Sequence, residues 1–112
     1  MSKKRLMVAG FATAMLLPCA TLAQQQEAAQ GDPDAARAKV SMCIGCHEIP
    51  RYKSSFPSVY HVPRIIGQSA AYIESALKAY RNGDRNHPTM TAVAAGLSDS
   101  DIADLAAYYG SK

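Results

Sequence analysis

Cys43-Ile44-Gly45-Cys46-His47 places two thiols three positions apart and an imidazole directly after the second. On the first turns of a helix, each thiol can form a thioether to one vinyl group of the same porphyrin. The spacing C-x-x-C-H is accordingly the attachment signature of a c-type haem. The histidine then lies beneath the ring with an imidazole nitrogen aimed at the iron. Other chemistries fit less well. A zinc ion would need two more ligands, which His61 and His87 would have to supply, and adjacent Cys and His serve one tetrahedral ion poorly. A thioredoxin-like C-x-x-C needs a strand–helix context that this chain lacks. A disulfide here would close too small a loop to stabilise much.

A six-coordinate haem iron needs a second axial ligand. Met42, Met90, His61 and His87 are the residues with a suitable lone pair beyond the export segment. Met42 sits beside the attachment segment and cannot reach across the porphyrin. Met90 lies far enough along the chain to return over the opposite face, in what reads as a loop, with Pro88 stiffening the approach. A thioether ligand favours Fe(II) relative to a second imidazole and raises the reduction potential. His87 is the rival, giving a bis-histidine haem of lower potential, or else an exposed loop histidine near a propionate. His61 reads as an ordinary surface histidine.

These groups need elements to position them. A first helix is expected from Asp32–Asp34, with Asp32 as cap and Pro33 in the first turn, running through Ala35, Ala36, Ala38 and Val40 into Cys43–His47. From Glu48 to Gly67, Pro50, Pro57 and Pro63 interrupt regular structure while Tyr52, Phe56, Val59, Tyr60, Ile65 and Ile66 supply apolar bulk. That pattern suits a loop wrapped round a cofactor edge. The spacing of Tyr72, Ile73, Ala76, Leu77 and Tyr80 predicts a helix over 69–81, ended by Asn82-Gly83. Residues 84–96 read as a second loop. Ser98 and Asp101 form a capping pattern for a last helix whose apolar face is Ile102, Leu105, Ala106 and Tyr109, with Gly110 closing it. No alternating run is long enough for a strand, so the domain is expected to be all-α with long loops.

The beginning of the chain reads as an export signal. Lys3-Lys4-Arg5 precede an apolar run from Leu6 to Leu17, and Thr21-Leu22-Ala23 offers a cleavage site. Residues 1–23 are thus expected to be removed, 24–33 to form a flexible Gln-rich leader, and 34–112 to form the haem domain. Pro18 before Cys19 argues against lipidation of that cysteine, and the apolar run is short for a membrane span. The whole chain carries twelve Lys+Arg against nine Asp+Glu. Three of those bases leave with the signal, so the remainder balances at nine of each. The basicity belongs to the export signal and argues against nucleic acid as a partner. The destination is expected to be the periplasm, with no stable membrane insertion. So small a domain buries limited apolar surface and gains from a cofactor in its centre.

The chain resembles the class I cytochromes c, especially short bacterial monohaem forms and single halves of tandem dihaem cytochromes. Cys43–His47, the stretch Pro63-Arg64-Ile65-Ile66-Gly67-Gln68-Ser69-Ala70-Ala71-Tyr72, His87-Pro88-Thr89-Met90 and the tail from Ala94 to Tyr109 carry the likeness. The resemblance implies an all-α fold of three to five helices around one covalent haem, the first and last crossing. It implies His47 as proximal ligand, Met90 as distal ligand, and the Pro63 carbonyl as acceptor for the second imidazole N–H, which would fix the ring and raise ligand basicity. Many relatives have glycine after the motif histidine; here Glu48-Ile49-Pro50-Arg51-Tyr52-Lys53 follows.

The expected function is one-electron transfer through an exposed porphyrin edge, without bond chemistry, by transient docking to redox proteins. Arg51/Lys53 or Arg81/Arg85 are the patches available for steering, or simply solvated surface. A haem subunit dedicated to a periplasmic dehydrogenase or oxidase is the alternative. A ligand-sensing or catalytic haem protein would need a displaceable sixth ligand and a distal acid–base pair, and no convincing pair stands in the sequence.

Overall fold

The computed structural model describes residues 30–112. The export signal expected over 1–23 and most of the leader expected over 24–33 lie outside the described residues. A 3₁₀ turn, Ala35–Ala38, precedes helix α1, Ser41–His47. Helices α2, Ala70–Asn82, α3, Pro88–Ala95, and α4, Asp99–Gly110, follow a long connection. Among the described residues the architecture is all-α apart from one short antiparallel ribbon within that connection. Its strands β1, Lys53–Ser54, and β2, Tyr60–His61, pair Lys53 with His61 and Ser54 with Tyr60. Two-residue strands are too short to leave an alternating signal, so the sequence does not reveal them.

The first helical segment is tighter than a continuous α-helix. Lys39 N–H bonds to Ala36 O at 2.8 Å and Cys43 N–H to Val40 O at 2.8 Å, the i→i+3 pattern typical of short pieces at helix starts. The N-cap of the 3₁₀ turn is Asp34, without a side-chain cap bond, rather than the expected Asp32, whose carboxylate instead accepts the Asp34 N–H at 2.8 Å in the turn just before it. The Asp32 N–H in turn donates to Asp104 Oδ1 at 2.7 Å. Gly31 lies so close to α4 that a Cβ there would stand 2.0 Å from the Ala103 carbonyl oxygen. The last residues of the expected leader are therefore docked on the last helix.

Ser69 caps α2 by accepting the Tyr72 N–H at 3.2 Å, and Gly83 ends it with φ 87°, a left-handed conformation that glycine adopts without strain. Ser98 and Asp101 form a reciprocal capping box on α4, with Asp101 N–H donating to Ser98 Oγ at 3.1 Å and Ser98 N–H to Asp101 at 2.9 Å. Gly110 does not close α4 by turning left-handed. It is the last helical residue, and a Cβ on it would come within 2.9 Å of the Ala70 nitrogen, so it lets α4 cross the start of α2. Ile102, Leu105, Ala106 and Tyr109 are all buried, with Ala36, Ile73 and Leu97 packed into the same cluster.

Residues 84–96 are not wholly a loop, because Pro88–Ala95 is helical. Pro88 occupies its first turn, where a missing N–H costs nothing, and Gly96 follows it. The segment Pro-Thr-Met-Thr-Ala-Val-Ala-Ala is short and lacks a periodic apolar stripe, which hides it from a pattern search. Arg81 then joins the neighbouring elements. Its guanidinium donates to the Leu97 carbonyl at 3.1 Å and to Asp99 at 2.6 Å. It is thus an internal tie, and a steering patch has to rely on other bases.

Gly31→Ala should cost about 1–3 kcal/mol, the range for forcing extra atoms into a packed contact, read from thermal unfolding of the haem-loaded protein. Unchanged stability would mean that the Gly31–α4 approach is not maintained. The Asp101 carboxyl is held below its ordinary value by the Ser98 N–H and hydroxyl, with Lys39 adding to the effect. Its contribution is therefore present above pH about 4 and lost as pH falls through the lowered value. Wild type and Asp101→Asn should differ in melting temperature at neutral pH and converge in acid.

Candidate functional site

Cys43, Cys46 and His47 project from one short helix at i, i+3 and i+4, the spacing that shares a helix face. All three are half-buried and line one cavity of about 260 Å³. A void of that size far exceeds what close packing leaves in a protein core. The face predicted on α2 also looks into it, because Tyr72, Ile73, Ala76, Leu77 and Tyr80 all contribute to its wall. The α2 face thus serves the cavity first, with only Ile73 fully buried.

His47 Nδ1 lies 2.6 Å from the Pro63 carbonyl oxygen. A carbonyl can only accept, so Nδ1 carries the hydrogen and the neutral ring keeps its lone pair on Nε2. That is the nitrogen a metal ion would take, with the ring orientation set by Pro63. Pro63 itself lines the same cavity.

Met90 lines the cavity from α3. It occupies the first turn of that helix rather than a loop, and its amide N–H donates to His87 Nδ1 at 3.3 Å. His87 is the N-cap of α3, half-buried rather than exposed. Met42 reaches the cavity rim and His87 its wall, while His61 is exposed on the ribbon and is not among the lining residues. Arg64 and Arg85 also line the cavity. Arg85 stacks over the rings of Tyr80 and Tyr72 at 5.1 and 5.9 Å, a geometry that holds a guanidinium in place.

Two participants escaped the sequence reading. Tyr109 reads as one more apolar position of α4, and Glu48 as a departure from a familiar glycine. Both place buried oxygens without a hydrogen-bond partner beside the attachment helix. Burial pushes the Cys43 thiol up; the Tyr109 hydroxyl opposes the shift, while Glu48 and Cys46 reinforce it. Burial likewise holds the Tyr109 phenol far above its ordinary value, with Cys43 and Glu48 adding to the rise. Burial thus disfavours the Cys43 thiolate, the form that a thiolate metal site would need. Among the described residues no three His, Cys, Asp or Glu side chains converge as a metal cluster.

The donor set fits a c-type haem. Two sulfurs and an oriented imidazole stand on one wall, a thioether contributes from another helix, and Ile73, Leu77, Val93 and Leu105 supply apolar surface. Arg64 and Arg85 are cations of the kind a carboxylate-bearing ring requires.

No protein-family profile matches the chain. Individual relatives do. Over 85 residues it is 46% identical to cytochrome c-554(548) of Halomonas halodenitrificans, covering 73% of this chain and 98% of that protein. It is 34% identical over 84 residues to cytochrome c4 of Pseudomonas aeruginosa, covering 75% of this chain and 40% of the relative. The cytochrome subunit of sulfide dehydrogenase of Chlorobaculum tepidum is 37% identical over 68 residues, 61% of this chain and 57% of the subunit. The chain thus spans about two fifths of the c4 relative and nearly all of the shorter cytochrome.

Replacing Cys43 and Cys46 together by Ala should leave no haem on the polypeptide after denaturation, read by haem staining of a denaturing gel. Each single replacement should retain it through the remaining thioether. Retention in the double variant would refute attachment at these sulfurs.

Proposed function

The chain belongs to the class I cytochromes c and carries covalent haem c, and on that basis we propose that it is a periplasmic carrier of single electrons with His47 and Met90 as axial ligands. The observation that carries this reading is the convergence of Cys43, Cys46, His47 and Met90 on one cavity from two separate helices. Haem bound there supplies a reversible one-electron iron couple. The protein supplies the rest. Cys43 and Cys46 anchor the ring, His47 presents Nε2 while Pro63 holds Nδ1, and Met90 presents a thioether sulfur. A His/Met pair raises the potential relative to bis-histidine ligation, and a protein-supplied ligand on each side leaves no open position for substrate chemistry.

Association with redox partners is proposed to be transient and small in area. No helix of the described residues is long and apolar enough to cross a membrane. A second reading, a haem subunit fixed to a dehydrogenase, is favoured by the likeness to the sulfide dehydrogenase cytochrome subunit. It uses the same haem site and differs only in the lifetime of the complex.

Met90→Ala should abolish the Met-sulfur-to-iron charge-transfer band of the oxidised protein and give the reduced protein affinity for carbon monoxide. A wild type without that band, or a reduced variant that fails to bind carbon monoxide, would overturn the assignment of Met90.

A further inference from the structure

We propose that His87 is a positioning residue for Met90 and that Tyr60 of the ribbon clamps His87 in that role. The inference rests on Met90 being the distal ligand, and it explains what keeps that residue at its post.

The first amide N–H groups of any helix lack an intrahelical acceptor. In α3, Pro88 has no N–H, and Thr91 N–H already bonds to the His87 carbonyl at 2.8 Å. Met90 N–H is left to a side chain, and His87 Nδ1 accepts it at 3.3 Å. Ser, Thr, Asp and Asn are the usual caps, so histidine is an uncommon choice with a consequence. Because Nδ1 accepts, the neutral ring carries its hydrogen on Nε2. That atom is buried and has no hydrogen-bond partner. The ring packs edge-to-face with Tyr60, centroids 5.2 Å apart and planes at 71°. The imidazole is therefore held at Nδ1 by the Met90 amide and over its ring by Tyr60.

A serine or aspartate cap would satisfy the same amide but is too short to pack against the ribbon. Histidine joins two segments instead. Tyr60 is fixed by its pairing with Ser54, and both residues line the haem cavity. The ribbon belongs to the chain that leaves α1 directly after His47. The segment that follows the proximal ligand thus reaches round the cavity and braces the turn carrying the distal one.

The test uses the haem-loaded oxidised protein and imidazole as an external ligand competing with Met90. Its apparent affinity scales with the fraction of molecules in which Met90 has left the iron. Losing an N-cap shifts such an equilibrium about fivefold, so His87→Ala should bind imidazole about fivefold more tightly than wild type. His87→Asn restores an acceptor for the Met90 amide but not the ring against Tyr60, so its imidazole affinity should fall between those of wild type and His87→Ala. Tyr60→Ala should tighten imidazole binding, whereas Tyr60→Phe, which keeps the ring, should not. In the unaltered reduced protein, the nitrogen spectrum of the His87 ring should show hydrogen on Nε2 and none on Nδ1. Hydrogen on Nδ1, a wild-type constant for His87→Ala or Tyr60→Ala, or an Asn variant as loose as Ala would overturn the proposal. If His87→Ala fails to mature with haem, the ring spectrum and the Tyr60 pair decide. Absence of the Met-sulfur-to-iron band in wild type would instead sink the ligand reading itself, while its presence with unaltered His87 and Tyr60 variants sinks only this inference.

Discussion

A helix of seven residues has to hold two sulfurs and an imidazole in one orientation, and it cannot do so alone. So short a helix is unstable in isolation, and no residue of α1 is fully buried. Its geometry is imposed from outside. Cys43 and Val40 pack against the core cluster, and the Pro63 carbonyl, on a segment distant in sequence, holds His47 by a direct bond of 2.6 Å. Remove that bond and the ring can turn about its χ angles, so the nitrogen presented to the cavity is no longer specified. The proline-interrupted connection from Glu48 to Gly67 therefore helps to orient the His47 ring, because it determines where Pro63 stands.

The same constraint explains how the apolar surface is spent. Fully buried side chains gather where α4 meets the first helical segment and α2, with Tyr109, Ile102 and Leu105 the largest. Much of the remaining apolar surface, including most of the α2 face, lines the cavity. A domain arranged this way is completed by the haem it holds. The thioethers keep the ring on the unfolded chain too, so its stabilising effect comes from the apolar surface that is buried against it only in the folded state. Haem attachment and fold stability are thus linked through one set of side chains, those shared by the α2 face, Leu105 and Tyr109.

How much could be read in advance follows from where the information resides. The attachment motif is local in sequence and needs three residue types at fixed spacing, so Cys43, Cys46 and His47 are legible at once. Helices α2 and α4 announce themselves through caps and a 3.6-residue period, and the Ser98–Asp101 box forms as written. What stays hidden is contact between distant segments. Nothing in the sequence says that Gly31 touches Ala103, that Gly110 admits Ala70, or that Tyr60 packs on His87. Nor does the pattern mark α3, whose eight residues carry no apolar stripe, although Pro88 at a helix start was a usable signal. His87 shows the cost of reading position without context, since a presumed exposed loop residue is a half-buried cap.

Electron exchange depends on how far the groups proposed to ligate the iron move when its charge changes. A ligand on a free loop adjusts its position whenever the iron changes charge, and each adjustment adds to the reorganisation that slows transfer. Met90 instead sits in the first turn of a helix anchored at both ends. The His87 ring holds its start, and the Arg81 guanidinium binds the Leu97 carbonyl just past its end. Arg81 also grips Asp99 at the head of α4, so α2, the end of the segment carrying Met90 and the start of α4 are tied at one corner. On the other side, His47 is fixed by Pro63. Both candidate ligands thus come from backbone whose hydrogen bonds are already made, which leaves little freedom for the donors to move when the charge on the iron changes.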